Sequence, residues 1–189
     1  MSVIKKVRSE KESGFTYIDV MIAIVILTVG VLALLSGISG SLVQTKGQEQ
    51  QLLAKQLAAS AMESIMSVKE TDPTRLGWTA VGNVGTNVDA LGVAHGIFLS
   101  GNQPVYSDPG PDEIYGTADD TGTVVSQMQR QITITDLCDP DRPSSICTPP
   151  GTLAIRMRSV RVTVTYNVGS LQRQESLVTV LTDYGTTSN

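Results

Sequence analysis

The chain has 189 residues, of which 41% are hydrophobic, 17% charged and 4% aromatic, with a formal net charge of −4. That length suits one ordinary domain, and the composition excludes both a disordered chain and a basic nucleic-acid surface. A single His and two Cys leave little material for a zinc centre or for His-based catalysis.

The charge is unevenly placed. Residues 1 to 14 carry Lys5, Lys6, Arg8 and Lys11 against Glu10 and Glu12, a net +2, while residues 15 to 189 carry ten basic and sixteen acidic side chains, a net −6. Between these parts, Val20 to Leu35 contains no charged side chain. The apolar run Phe15 to Ile38, as a helix rising ~1.5 Å per residue, is long enough to cross a hydrocarbon layer of ~30 Å. Basic residues ahead of such a run hold the start of the chain in the cytoplasm and export the rest. A cleaved secretory signal would use Gly37, Ser39 and Gly40 as small residues, but the run exceeds the usual apolar region and contains Asp19. A simple signal anchor accounts for length and orientation and leaves the carboxylate unexplained.

The junction Gly14-Phe15-Thr16-Tyr17-Ile18-Asp19, behind a basic leader and ahead of an apolar helix, resembles the class III signal of type IV pilins and pseudopilins, whose usual pattern is G-F-T-L-I-E. The resemblance implies that a prepilin peptidase cuts on the cytoplasmic side after Gly14, removes residues 1 to 14 and N-methylates Phe15. Glycine, lacking a Cβ, lets catalytic groups approach the scissile backbone. Asp19 then becomes the assembly carboxylate that neutralises the terminal ammonium of a neighbouring subunit. Immersing a charge costs ~2.5 to 3.5 kcal/mol, so a carboxylate here calls for a partner. The alternative is a helix-start residue favoured by the dipole, worth roughly 0.3 to 1 kcal/mol. The chain departs from the pattern with Asp for Glu and with Tyr17 for Leu, which fits a minor subunit better than a major one.

Residues 15 to 40 form the membrane and assembly half of the expected helix, and residues 41 to 70 an amphipathic half with Leu53, Leu57, Ala61, Ile65 and Val68 on one face. Gly30, Gly37, Gly40 and Gly47 weaken this helix by about 1 kcal/mol each relative to Ala, which allows local melting between residues 36 and 47 or close packing instead. Asp72-Pro73 ends it. Residues 71 to 122 read as loop with room for one hairpin. Gln129 to Thr135, Ser159 to Tyr166 and Ser176 to Leu181 read as half-buried strands, with a turn at Asn167-Val168-Gly169-Ser170. The expected fold is α+β: a long N-terminal helix packed on a C-terminal antiparallel sheet, within a loop-rich globular region over residues 71 to 189. A strand ending V-T-V-T-Y, a short turn and a final S-L-V-T-V-L-T strand are similar to the C-terminal half of PilV-type minor pilins and of the related minor pseudopilins of type II secretion.

Two features in the exported region invite chemistry. Cys138 and Cys147 flank a Pro-bearing loop and, in an oxidising compartment, are expected to form a disulfide; their spacing and the distant His95 weigh against a metal or redox pair. From Asp108 to Asp120 the chain has five carboxylates in thirteen residues and no basic one. Asp108, Asp112, Asp119 and Asp120 around a Gly-bearing turn resemble calcium-binding loops of some secreted and pilin-like proteins, so Ca²⁺ is the possible ligand. The loop lacks EF-hand spacing, and a solvated acidic loop is the alternative. No nucleophile elbow or P-loop occurs, and no enzymatic activity is expected.

The expected function is therefore structural: a minor pilin subunit, matured at Gly14 and Phe15, that assembles into or primes a type IV pilus. Its partners would be the prepilin peptidase, other pilin or pseudopilin subunits and the inner membrane, with no nucleic acid. Its place would be the inner membrane before assembly and a pilus or periplasmic pseudopilus after it. A minor pseudopilin of type II secretion and a membrane-anchored exported binding protein are the alternatives.

Overall fold

The computed structural model describes residue 14 and residues 16–70, 77–141 and 155–183. One helix, α1 (Tyr17–Glu70), precedes a short 3-10 turn (Trp78–Ala80) and four strands: β1 (Gln103–Asp108), β2 (Thr121–Leu137), β3 (Met157–Val168) and β4 (Leu171–Thr182). The strands form one antiparallel sheet in the order β1-β2-β3-β4. The fold is α+β, as expected. The chain divides into two compact units, Met1–Gln44 and Thr45–Asn189.

In the first unit, α1 carries the apolar run, and its side chains from Tyr17 to Val43 are exposed. It is long and apolar enough to cross a membrane. The helix runs unbroken through residues 36 to 47, so the four glycines do not melt it. Thr28 and Ser39 return their hydroxyls to the carbonyls of Ile24 and Leu35, which satisfies them without interrupting the backbone ladder.

In the second unit, the helix face that enters the core consists of Ala54, Ala58, Ala61, Met62, Ile65 and Val68. The expected stripe is right at Ala61, Ile65 and Val68, Leu57 is half buried, and Leu53 lies outside the core at 36% exposure. Three alanines at the start of the face let the helix backbone approach the sheet closely. Gly47 is buried for the same reason, since a Cβ there would stand 3.3 Å from Val168 Cγ1.

Alternation in β3 turns Val160, Val162, Val164 and Tyr166 inward and leaves Arg161 outside. Register carries the same face across the sheet, with Ile132 opposite Val162 and Leu181 opposite Arg158. The inward residues close a core with Phe98, Val81 and Val105. All three expected strands are present and each is longer than expected. β1 was concealed in the loop region because it is six residues long, holds Pro104 and pairs with β2 through two register shifts. One shift lies opposite Gln127, a non-glycine residue at φ 62°.

Candidate functional site

The N-terminal junction is built by local chemistry. Gly14 is exposed and lies outside the helix, and Phe15 is outside the described residues. Thr16 caps α1: its N–H and its hydroxyl both donate to Asp19 Oδ2, at 3.0 and 2.7 Å, while the Asp19 N–H faces Thr16 Oγ1 at 3.4 Å. This is a reciprocal capping box, formed because a short oxygen-bearing side chain three residues ahead of a carboxylate can satisfy the orphan donors of a first turn. Asp19 is therefore a helix-start residue. The peptide N–H of Thr16 lies beyond the Gly14–Phe15 bond, so the box does not depend on residues 1 to 14. Among the described residues, Asp19 Oδ1 accepts no hydrogen bond.

The acidic loop separates its carboxylates into different jobs. Asp108 turns onto the N–H of Gly110 at 2.8 Å. Asp112 accepts from the Ile114 N–H, and its own N–H donates to Asp119 Oδ2 at 3.3 Å, so these two acids lie together. Lost hydration raises the Asp112 pKa, whereas the Thr117 hydroxyl, 2.7 Å from Asp119 Oδ1, lowers that of Asp119. Gly110 closes the loop at φ 76°, where an added Cβ would stand 2.2 Å from the Asp119 carbonyl oxygen.

Asp120 belongs to the core instead. Its carboxylate accepts from Arg130 Nη2 at 2.6 Å and from the Gly116 N–H at 3.0 and 3.1 Å, and the two side chains are 6% and 2% exposed. Burial lowers the Arg130 pKa, and the Asp120 charge and hydrogen bond offset only part of that shift. Arg130 Nη1 is buried with no hydrogen-bond partner among the described residues, and the guanidinium lies 5.7 Å from the Tyr115 ring centroid. Of the four proposed calcium ligands, the structure thus brings Asp112 and Asp119 together, points Asp108 at its own turn and commits Asp120 to Arg130. Among the described residues, no three His, Cys, Asp or Glu side chains are grouped to hold a metal ion.

Two further polar residues tie the segment after α1 to the sheet. Asn83 is buried, with Nδ2 donating to the carbonyls of Ile132 and Phe98 at 2.9 and 3.3 Å and Oδ1 accepting from the Ile134 N–H at 2.9 Å. Arg158 stacks 4.4 Å from the Trp78 ring centroid, donates to the carbonyls of Trp78 and Val81 and pairs with Asp136. Neither residue was singled out by the sequence, because their partners lie between 15 and 80 positions away. His95 sits 3.0 Å from Asp89 in an exposed loop, whose carboxylate also accepts from the N–H groups of Leu91 and Val93. Cys138 follows β2 and is not a free thiol; Cys147 and most of the loop between them lie outside the described residues.

The architecture is pilin-like: a long N-terminal apolar helix packed on an antiparallel sheet. Comparison with protein-family models, with curated proteins and with solved structures gives no match.

Proposed function

We propose that the chain is a structural subunit of the type IV pilin kind, matured by a prepilin peptidase between Gly14 and Phe15 and assembled through its apolar helix. One observation carries the reading: a single unbroken helix begins at a polar capping box two residues past the Gly14-Phe15 junction and continues through an apolar span into a sheet-domain core. A cleavable secretory signal would have no need for that continuity, since it is discarded. In this reading the leader stays cytoplasmic, the sheet unit is exported, and Asp19 keeps Oδ1 for the ammonium of a neighbouring Phe15 while Oδ2 holds the cap. Assembly in a type II secretion pseudopilus is the alternative for the same helix. A disulfide between Cys138 and Cys147 would close the exported loop in an oxidising compartment.

Mass spectrometry of the chain from cells that express a prepilin peptidase tests this. The expected product has 175 residues and begins at N-methylated Phe15, and Gly14→Leu should abolish it, because a Cβ and side chain obstruct access to the scissile bond. A terminus after residue 36, or normal processing of Gly14→Leu, overturns the assignment.

Calcium is retained as a second reading on a reduced ligand set. The Asp112 and Asp119 carboxylates interact directly, the charge of Asp119 being one cause that raises the Asp112 pKa, and a hard divalent cation would relieve their repulsion while drawing its other oxygens from backbone and water. Titration calorimetry with millimolar Ca²⁺ is expected to show binding that Asp119→Asn abolishes and Asp108→Asn leaves intact. Absence of heat excludes the site.

A further inference from the structure

The two edges of the sheet differ. The β1 edge is short and carries Pro104 and two register shifts, features that keep an edge from pairing with another chain. β4 has none of these. Its twelve residues are in continuous register with β3, without Pro, Gly or bulge, and the strand is last in the sheet order. A regular strand of this kind presents a row of backbone donors and acceptors that only another extended backbone can satisfy in full.

The side chains of β4 specify which backbone. Consider two copies of β4 placed antiparallel about a two-fold axis through Gln174. Arg173 of each copy then lies opposite Glu175 of the other, Leu171 opposite Leu177, Gln172 opposite Ser176 and Gln174 opposite itself. The odd-numbered residues share one face, so the two Arg–Glu pairs and the two Leu–Leu pairs fall on the same side. Leu171 and Leu177 are 61% and 38% exposed, Arg173 is exposed, and Arg173 makes no ion pair among the described residues. The opposite face meets as Gln, Ser and Gln, with no like charges to repel. Cross-strand pairs of these kinds contribute roughly 0.2 to 1 kcal/mol each, and like charges placed opposite cost a similar amount.

We infer that β4 is a self-association edge, which pairs with β4 of a second copy in the register Arg173 to Glu175 and so joins two four-stranded sheets into one of eight strands. The pairing uses only residues 171 to 177 and is independent of how the N-terminus is matured.

The test is site-directed cross-linking of the full chain in detergent. On the two-fold axis, the Cα atoms of paired residues lie ~4.5 to 5.5 Å apart, within disulfide reach. Mild oxidation of Gln174→Cys should therefore give a reducible dimer. Ser176→Cys alone should not, because its two copies are offset by four residues, or ~13 Å. A mixture of Gln172→Cys and Ser176→Cys chains should cross-link to each other. Adding Arg173→Glu or Glu175→Arg to Gln174→Cys should lower the dimer yield about fivefold, and combining both reversals should restore it. No dimer at Gln174→Cys, equal yields at positions 174 and 176, or a double reversal no better than the singles each overturns the inference.

Discussion

Replacing Asn83 with Ala is expected to lower the stability of the sheet unit by about 3 kcal/mol, because two backbone groups of β2 lose their only complement. β1 pairs with β2 no further along than Arg130, so the β2 edge beyond it has β3 on one side and no strand on the other. Asn83 fills that vacancy with a side chain. Its amide receives the Ile134 N–H and gives to the Ile132 carbonyl, the same exchange a strand residue would make, while its backbone forms a parallel bridge with Phe98. Gly96 is required beside it, since an added Cβ would stand 2.1 Å from the Asn83 carbonyl oxygen. Truncation to Ala leaves the partly buried Ile134 N–H and the buried Ile132 carbonyl unpaired, each costing about 1 to 3 kcal/mol. Asn83→Asp is expected to be at least as damaging, because it loses both donors and sets a carboxylate against two carbonyl oxygens. Trp78 is the only tryptophan and belongs to the second unit, so its fluorescence follows that unit alone. The expected midpoint shift is roughly 6 to 12 °C, against almost none for Gln129→Ala on the outer face. A loss below ~1 kcal/mol would mean that the amide does not replace a strand.

The second large effect is at the buried ion pair. Asp120→Asn should destabilise by about 3 to 5 kcal/mol, since it leaves the Arg130 guanidinium charged, desolvated and opposed by no anion. The cost arises from stranding the charge, so removing the charge as well should recover most of it. Asp120→Asn combined with Arg130→Met is expected to fall within about 2 kcal/mol of the parent, because the Asn oxygen can still accept from the Gly116 N–H and the methionine stem fills the space beside Ile132 and Tyr115. Urea unfolding of the four corners of this cycle gives the coupling directly. Additive losses would show that Asp120 acts only as a cap for the turn. The same experiment bears on calcium, because an Asp120 held by Arg130 is not available to a cation.

Those parts of the protein whose physics is local are legible along the chain. A charge-free run has to be a helix in an apolar medium, Thr16 and Asp19 are spaced to start one, and a Val-x-Val-x-Val strand sorts its own faces. The α+β class and three of the four strands were legible for this reason. Over residues 36 to 47, glycine propensity allowed either melting or close packing; the helix is unbroken, and at Gly47 the missing Cβ serves close packing. The work of the polar residues is set by contacts that form on folding. Five carboxylates in one loop look alike as letters, but the fold turns Asp120 inward onto Arg130, ten residues further along in β2, and leaves Asp112 beside Asp119. Asn83 reads as an ordinary loop residue until the end of β1 exposes the backbone it must satisfy. Hydrogen-bond satisfaction is a property of whichever groups the folded chain buries together, and that is set by contacts dozens of residues apart rather than by any spacing along the chain.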